Sequence, residues 1–182
     1  MRELTVPISD EIISGLNTGE TVYITGKIYT ARDAAHKRLV EIIEAEEKLP
    51  FDFNGQVVFY AGPAPAKPGR PIGSVGPTTS GRMDLYSPLL ISKGLKVMIG
   101  KGPRGREVMD AIVKNKALYF AAIGGAAALM AKCVKSAKLI AFEDLGTEAV
   151  RELEVEKLPV VVAIDSAGRN IYQQIKNESL QC

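Results

Sequence analysis

Three places in this 182-residue sequence carry side chains able to grip an anion. Arg32 and His36 stand four residues apart in "TARDAAHKR", the interval that puts two side chains on one face of a helix. Arg82 closes "GPTTSGR", where Thr78, Thr79 and Ser80 offer three hydroxyls and Gly81, with the other flanking glycines, lets backbone amides approach a ligand. Lys101 lies between two glycines in "IGKG". A guanidinium meets both oxygens of a carboxylate with a fork of donors, and an ammonium adds a point charge. Two separated arginines suit a ligand with two carboxylates better than one with a single phosphate. On residue types alone, "SVGPTTSGRMD" also reads as a plain solvated turn and Arg32 as a solvated side chain.

The elements that must hold these groups follow from hydrophobic period. Residues 21 to 29 are β-branched and aromatic, as in a strand, and from Asp33 the apolar positions Ala35, Leu39, Ile42 and Ile43 take helical spacing until Pro50. Thr30 and Asp33 resemble a capping box at that helix start. A cation in the first turn opposes the helix dipole, at a cost of roughly 0.3–1 kcal/mol. An anion bound at the helix N-terminus would turn Arg32 into an asset, because amides and guanidinium would converge on it. His36, one turn on, reads either as a surface or packed histidine or as a group that would orient an acid or the substrate.

Beyond it, "QVVFYAG" reads as a strand, and residues 62–77 hold five of the ten prolines and four of the seventeen glycines. That stretch is either a linker or a long, stiff, functional loop. Ser87 and Pro88 start a short helix ending at Gly94. Strand "LKVMI", a helix from near Arg104, strand "ALYFAAI", helix "GAAALMAKCV" and strand "AKLIAFE" follow. A polar stretch, strand "PVVVAID", turn "SAGRN" and strand "IYQQIK" complete the chain. Strands alternating with short helices predict an α/β layered domain, and the closing hairpin-like pair predicts a mixed sheet.

Composition excludes several partners. Hydrophobic residues make up 46% and charged residues 24%, normal for a globular chain, while a net charge of +2 argues against nucleic acid or an anionic membrane surface. The longest uncharged run, residues 117–131, is too short for a bilayer and carries Gly124-Gly125 in its middle. No signal peptide opens the sequence, so it reads as cytoplasmic. Cys133, Cys182 and His36 alone cannot form a closed zinc site or hold an iron–sulfur cluster. Any metal chemistry must then be brought by another chain.

A competing reading rests on Gly100, Gly102 and Gly105, which match G-x-G-x-x-G between a strand and a helix and would seat a nucleotide pyrophosphate. The acidic residue expected about twenty positions on is missing from "LYFAAIGG". A purely structural or regulatory subunit is a third alternative.

"TARDAAHKR", "GPAPAKPGRPIGSVGPTTSGRMD", "IGKG", and "GTEAV" followed by "LPVVVAIDSAGRNIY" together resemble the β subunit of two-subunit class I iron–sulfur fumarate hydratases and L(+)-tartrate dehydratases, over nearly the whole chain. The resemblance implies a swivelling three-layer β/β/α domain over residues 1–182, with 62–82 as an active-site loop. It implies an α subunit that carries a [4Fe–4S] cluster not ligated by this chain, an α2β2 assembly, and reversible hydration of fumarate to (S)-malate, or the corresponding tartrate reaction. By motif, Arg32 and Arg82 would clamp substrate carboxylates, Lys101 would add a third positive contact, and Thr78 would take the proton. Thr79, Ser80 and Gly81 would bind substrate beside it, with His36 in support.

Overall fold

The computed structural model describes residues 2–122 and 127–179. Gly124-Gly125 and Cys182 lie outside the described residues. The chain runs β1 (Arg2–Thr5), α1 (Asp10–Ser14), β2 (Thr21–Thr30), α2 (Asp33–Glu44), β3 (Val57–Phe59), a 3₁₀ turn (Ser80–Met83), α3 (Ser87–Ser92) and β4 (Val97–Gly100). It continues with α4 (Arg106–Asn115), β5 (Leu118–Ala122), α5 (Ala127–Cys133), β6 (Val134–Ala141), a second 3₁₀ segment (Glu143–Glu148), β7 (Val150–Ile164) and α6 (Ile171–Ser179).

Among the described residues one seven-stranded sheet takes the order β1-β2-β3-β4-β5-β7-β6, with β7 also paired to β2. The second pairing closes β2, β3, β4, β5 and β7 into a ring. β7 makes this possible by its length: Arg151 to Val161 run antiparallel to β2, and Val160 to Ile164 run antiparallel to β5. β1 to β5 pair in parallel where they touch, so the sheet is mixed as expected.

Side chains alternate across this sheet, as the pleat requires. Val57, Phe59, Val97, Ile99, Leu118 and Phe120 face the enclosed side, where sheet packs on sheet. Val58, Tyr60, Met98 and Tyr119 face the other way, onto Leu39 of α2, Leu90 of α3 and Ile112 of α4. Two β layers and one helical layer result. The short parallel strands are apolar on both faces for this reason.

Four expectations need correction. "IYQQIK" is not a strand but the start of α6; the Asn170 side chain accepts from the Tyr172 amide at 3.0 Å, an N-terminal cap that commits the segment to helix. The "polar stretch" before "PVVVAID" is largely strand. In it Val150, Leu153 and Val155 are buried, while Arg151, Glu152 and Glu154 between them lie half-exposed. Thr30 does not cap α2: the N-cap is Arg32, without a side-chain cap bond, and Thr30 Oγ1 accepts from the Arg151 amide instead. That helix also ends at Glu44 rather than Pro50, because Glu46 turns left-handed.

The proline-rich stretch is a loop that returns to the sheet, not a linker. Ala61 bridges to Pro77, the Ala64 amide donates to Ser74 and the Gly73 amide donates back to Ala64. The Thr78 amide then donates to Tyr60 at 2.6 Å, and Thr79 bridges to Lys101, so the hydroxyl stretch is stitched to the ends of β3 and β4. Gly100 permits the last stitch, since a Cβ there would stand 1.8 Å from Ser80 Oγ. Gly100→Ala should therefore lower unfolding stability by about 1–3 kcal/mol in chemical denaturation, through overpacking.

Candidate functional site

Arg32, Thr78, Thr79, Arg82 and Lys101 all follow the C-terminal ends of β2, β3 or β4, the side of parallel strands where α/β proteins gather ligands. Arg82, Thr79, Gly81 and Lys101 are exposed and Thr78 is half-buried. Thr78 uses its backbone on Tyr60, and its hydroxyl has no hydrogen-bond partner among the described residues. Ser80 is placed differently. Its side chain is fully buried, and its hydroxyl accepts from the Lys101 amide at 3.0 Å and from the Tyr119 hydroxyl at 2.9 Å. In this conformation Ser80 holds the loop to Lys101 rather than facing a ligand.

Beneath the loop lies a group that sequence patterning does not single out. The Arg104 side chain is wholly buried, with the rings of Tyr60 and Tyr119 at 5.3 and 5.0 Å from its guanidinium carbon. Its Nε donates to Asp84 Oδ1 at 2.6 Å and its Nη2 to Ser87 Oγ at 2.8 Å. The second Asp84 oxygen accepts from the Gly105 amide at 2.6 Å. Asp84 follows the 3₁₀ turn that carries Arg82, so this pair seats Arg82 and Lys101 on one support. It also answers the nucleotide reading. The Gly105 amide at the α4 N-terminus already serves Asp84, and Ser80 covers Gly100, so the glycine loop offers no open cradle for a pyrophosphate.

At α2 the expected anion is present, but it belongs to the chain. Glu148 places Oε1 3.2 Å from Arg32 Nη2 and accepts from the Ala34 amide, at the helix N-terminus, through Oε2 at 3.3 Å. Arg82 in turn makes ion-pair contact with Asp33, without hydrogen-bond alignment. Each site arginine thus has its own carboxylate. Glu148 escaped sequence reasoning, although it stands in the "GTEAV" stretch, because only the fold brings it across more than a hundred residues.

His36 does not share an exposed face with Arg32. It is fully buried, with Nδ1 2.9 Å from the Arg32 carbonyl, its ring edge-on to Tyr60, and Nε2 without a partner. Burial, with a smaller push from Arg104, outweighs the Arg32 carbonyl and Asp33 and lowers its pKa to about 4. It is neutral at pH 7, so Nδ1–H donates to Arg32 and fixes the residue that carries the guanidinium. The Tyr119 phenol is held protonated by burial in the same way.

Among the described residues no group of three or more His, Cys, Asp or Glu side chains could hold a metal ion. Cys133, the free cysteine among them, is half-buried, and burial raises its thiol pKa. The described residues do not fit an iron–sulfur cluster.

The unfolded chain protonates His36 near the ordinary value of about 6.5, the folded chain only near 4. Its stabilising contribution is complete above 6.5, declines as pH falls through that window, and stays flat below. Wild-type chain should lose about 3 kcal/mol more than His36→Gln between pH 7 and pH 4, measured by urea unfolding.

Residues 2–175 match the Fumarase C-terminus family. Over 172 residues the chain is 40% identical to a protein of Methanocaldococcus jannaschii provisionally named L(+)-tartrate dehydratase subunit beta, covering 91% of this chain and 88% of that one. It is 39% identical over its full length to the anaerobic class I fumarate hydratase of Escherichia coli K12, and spans 32% of it. The mitochondrial fumarate hydratase 1 of Leishmania major is 42% identical over 84% of this chain, which spans 28% of that protein. The chain therefore covers about a third of the fumarate hydratases it matches and most of the separate β subunit. With its fold, its strand-end cations and this match along almost all its length, the chain belongs to the Fumarase C-terminus family.

Proposed function

We propose that this chain, a single domain, is the β subunit of an iron–sulfur hydro-lyase that hydrates fumarate reversibly to (S)-malate. Its site is completed by a cluster-bearing α subunit, in an α2β2 cytoplasmic enzyme. The observation that carries the proposal is the cation set: Arg32, Arg82 and Lys101 stand at adjacent strand ends around free hydroxyls, where two carboxylates can be bound. The names of the relatives support the reaction class. The lack of a ligand set for a cluster among the described residues supports a second subunit. Among the described residues no helix is long and apolar enough to cross a membrane.

In this reading Arg32 and Arg82 each hold one substrate carboxylate. Removing the proton next to one of them builds negative charge on that carboxylate, and Arg82 and Lys101 stabilise it. Thr78, four residues before Arg82 and with no partner for its hydroxyl among the described residues, is the proton acceptor. A threonine hydroxyl is a weak base unaided, so it needs an activating group. Thr79 and the Gly81 amide line the same rim, while Ser80 and His36 hold it in shape from below.

A cleft of about 340 Å³ does lie behind the proline-rich loop, lined by Pro63, Pro65, Ile72, Leu139 and Arg151 among others. It contains none of the proposed substrate contacts. Those sit on an open rim, as a site shared between two chains requires.

The tartrate reaction is the second reading, favoured by the near-complete match to a separate β subunit. To separate the two, the tagged chain is purified anaerobically with its native partner and assayed on fumarate, malate and tartrate. A brown, oxygen-sensitive complex that hydrates fumarate is expected, and one active on tartrate alone would change the substrate. Arg82→Met should assemble normally and lose about a hundredfold or more in kcat/KM. Near-normal turnover would refute the assignment.

A further inference from the structure

Glu148 is the unexpected member of the site. It comes from the 3₁₀ segment Glu143–Glu148, which has no buried residue of its own. Leu145 and the preceding Phe142 pack, partly buried, against the core, and polar contacts tie the segment to α2. Arg38 meets Asp144 with two donors at 2.7 and 2.5 Å, and its guanidinium lies 5.4 Å over the Phe142 ring. At the other end Glu148 meets Arg32 and the Ala34 amide. The Arg32 guanidinium passes close to the backbone of Gly62: a Cβ there would stand 3.1 Å from Arg32 Cδ and 3.2 Å from Nη1.

We infer that Glu148 is the positioning residue of Arg32, fixing the guanidinium so that its remaining donors meet a substrate carboxylate. The inference rests on the dicarboxylate reading above. Two effects oppose each other. A carboxylate this close weakens the pull of Arg32 on a dianion, so removing it would favour binding. Yet the Arg32 side chain is only 24% exposed, its Nε is buried without a partner, and Glu148 is the acceptor facing it among the described residues. Without Glu148 a largely desolvated cation loses its counter-charge and the helix start its acceptor, so the fork loses its orientation. A bidentate contact depends on that orientation more than on net charge, so geometry prevails.

The test uses the assembled enzyme and the chain itself. Glu148→Gln keeps an acceptor for the Ala34 amide and removes the charge that holds Arg32. In the complex it should raise KM for fumarate about tenfold with kcat within threefold, and Arg38→Gln, which frees the segment at its far end, should raise KM less. An unchanged or lowered KM in Glu148→Gln would overturn the inference. If the wild-type complex turns over no dicarboxylate, the functional reading fails, while a second measurement still decides the role of Glu148. In the labelled chain the Arg32 Nε–H should exchange with solvent at least tenfold faster in Glu148→Gln than in wild type. Equal exchange rates would mean that Glu148 does not hold Arg32.

Discussion

The ion pair between buried Arg104 and half-buried Asp84 carries the rest of the site. Taking a guanidinium out of water is costly, and removing one partner of such a pair typically costs about 3–5 kcal/mol. The fold offsets that cost from several sides: a carboxylate and a serine hydroxyl accept, and two tyrosine rings flank the charge. Asp84 ends the turn that bears Arg82, while Arg104 and Gly105 lie just beyond Lys101. One interaction thus ties two separate stretches, "TTSGRMD" and "GKGPRG", into one surface. Tyr60 directly follows β3 and Tyr119 lies in β5, so the loop rests directly on the closed sheet beneath it.

Around this support the molecule balances charge. Arg32 answers to Glu148 and Arg82 to Asp33, whereas Lys101 makes no ion pair with a described residue. A rim bearing three bare cations would attract any polyanion. Pairing two of them leaves a weaker field and stricter geometry, which favours a ligand whose carboxylates match the spacing. The orphaned atoms collect here as well: Arg32 Nε, both Asp33 carboxylate oxygens and His36 Nε2 are buried without hydrogen-bond partners among the described residues. Buried polar groups are usually satisfied, so their concentration at the start of α2 marks a place under functional constraint.

Much of this was legible in the sequence because it is local. The β-branched run of β2, the helical spacing from Asp33 and the hydroxyl-rich loop each declare themselves within a few residues. What stayed hidden depends on distance or on ambiguity of period. Glu148 meets Arg32 and Arg104 meets Asp84 only through the closed sheet. The first half of β7 looks polar because charged residues separate its buried Val150, Leu153, Val155 and Leu158, whose uneven spacing shows no clean two-residue period. "IYQQIK" fits a strand or a helix equally, and the Asn170 cap decides. Ser80 and His36 carry types that suggest ligand contact, but both are fully buried and bond to their own chain, which no local pattern shows.

The central claim is that two carboxylates of one ligand bind across the β2, β3 and β4 strand ends. A structure of the assembled enzyme with an unreactive four-carbon dicarboxylate tests it most directly. The account predicts one carboxylate on Arg82 and Lys101, the other on Arg32, with Glu148 still against the Arg32 guanidinium. A dicarboxylate bound elsewhere, with these side chains facing solvent, would contradict it.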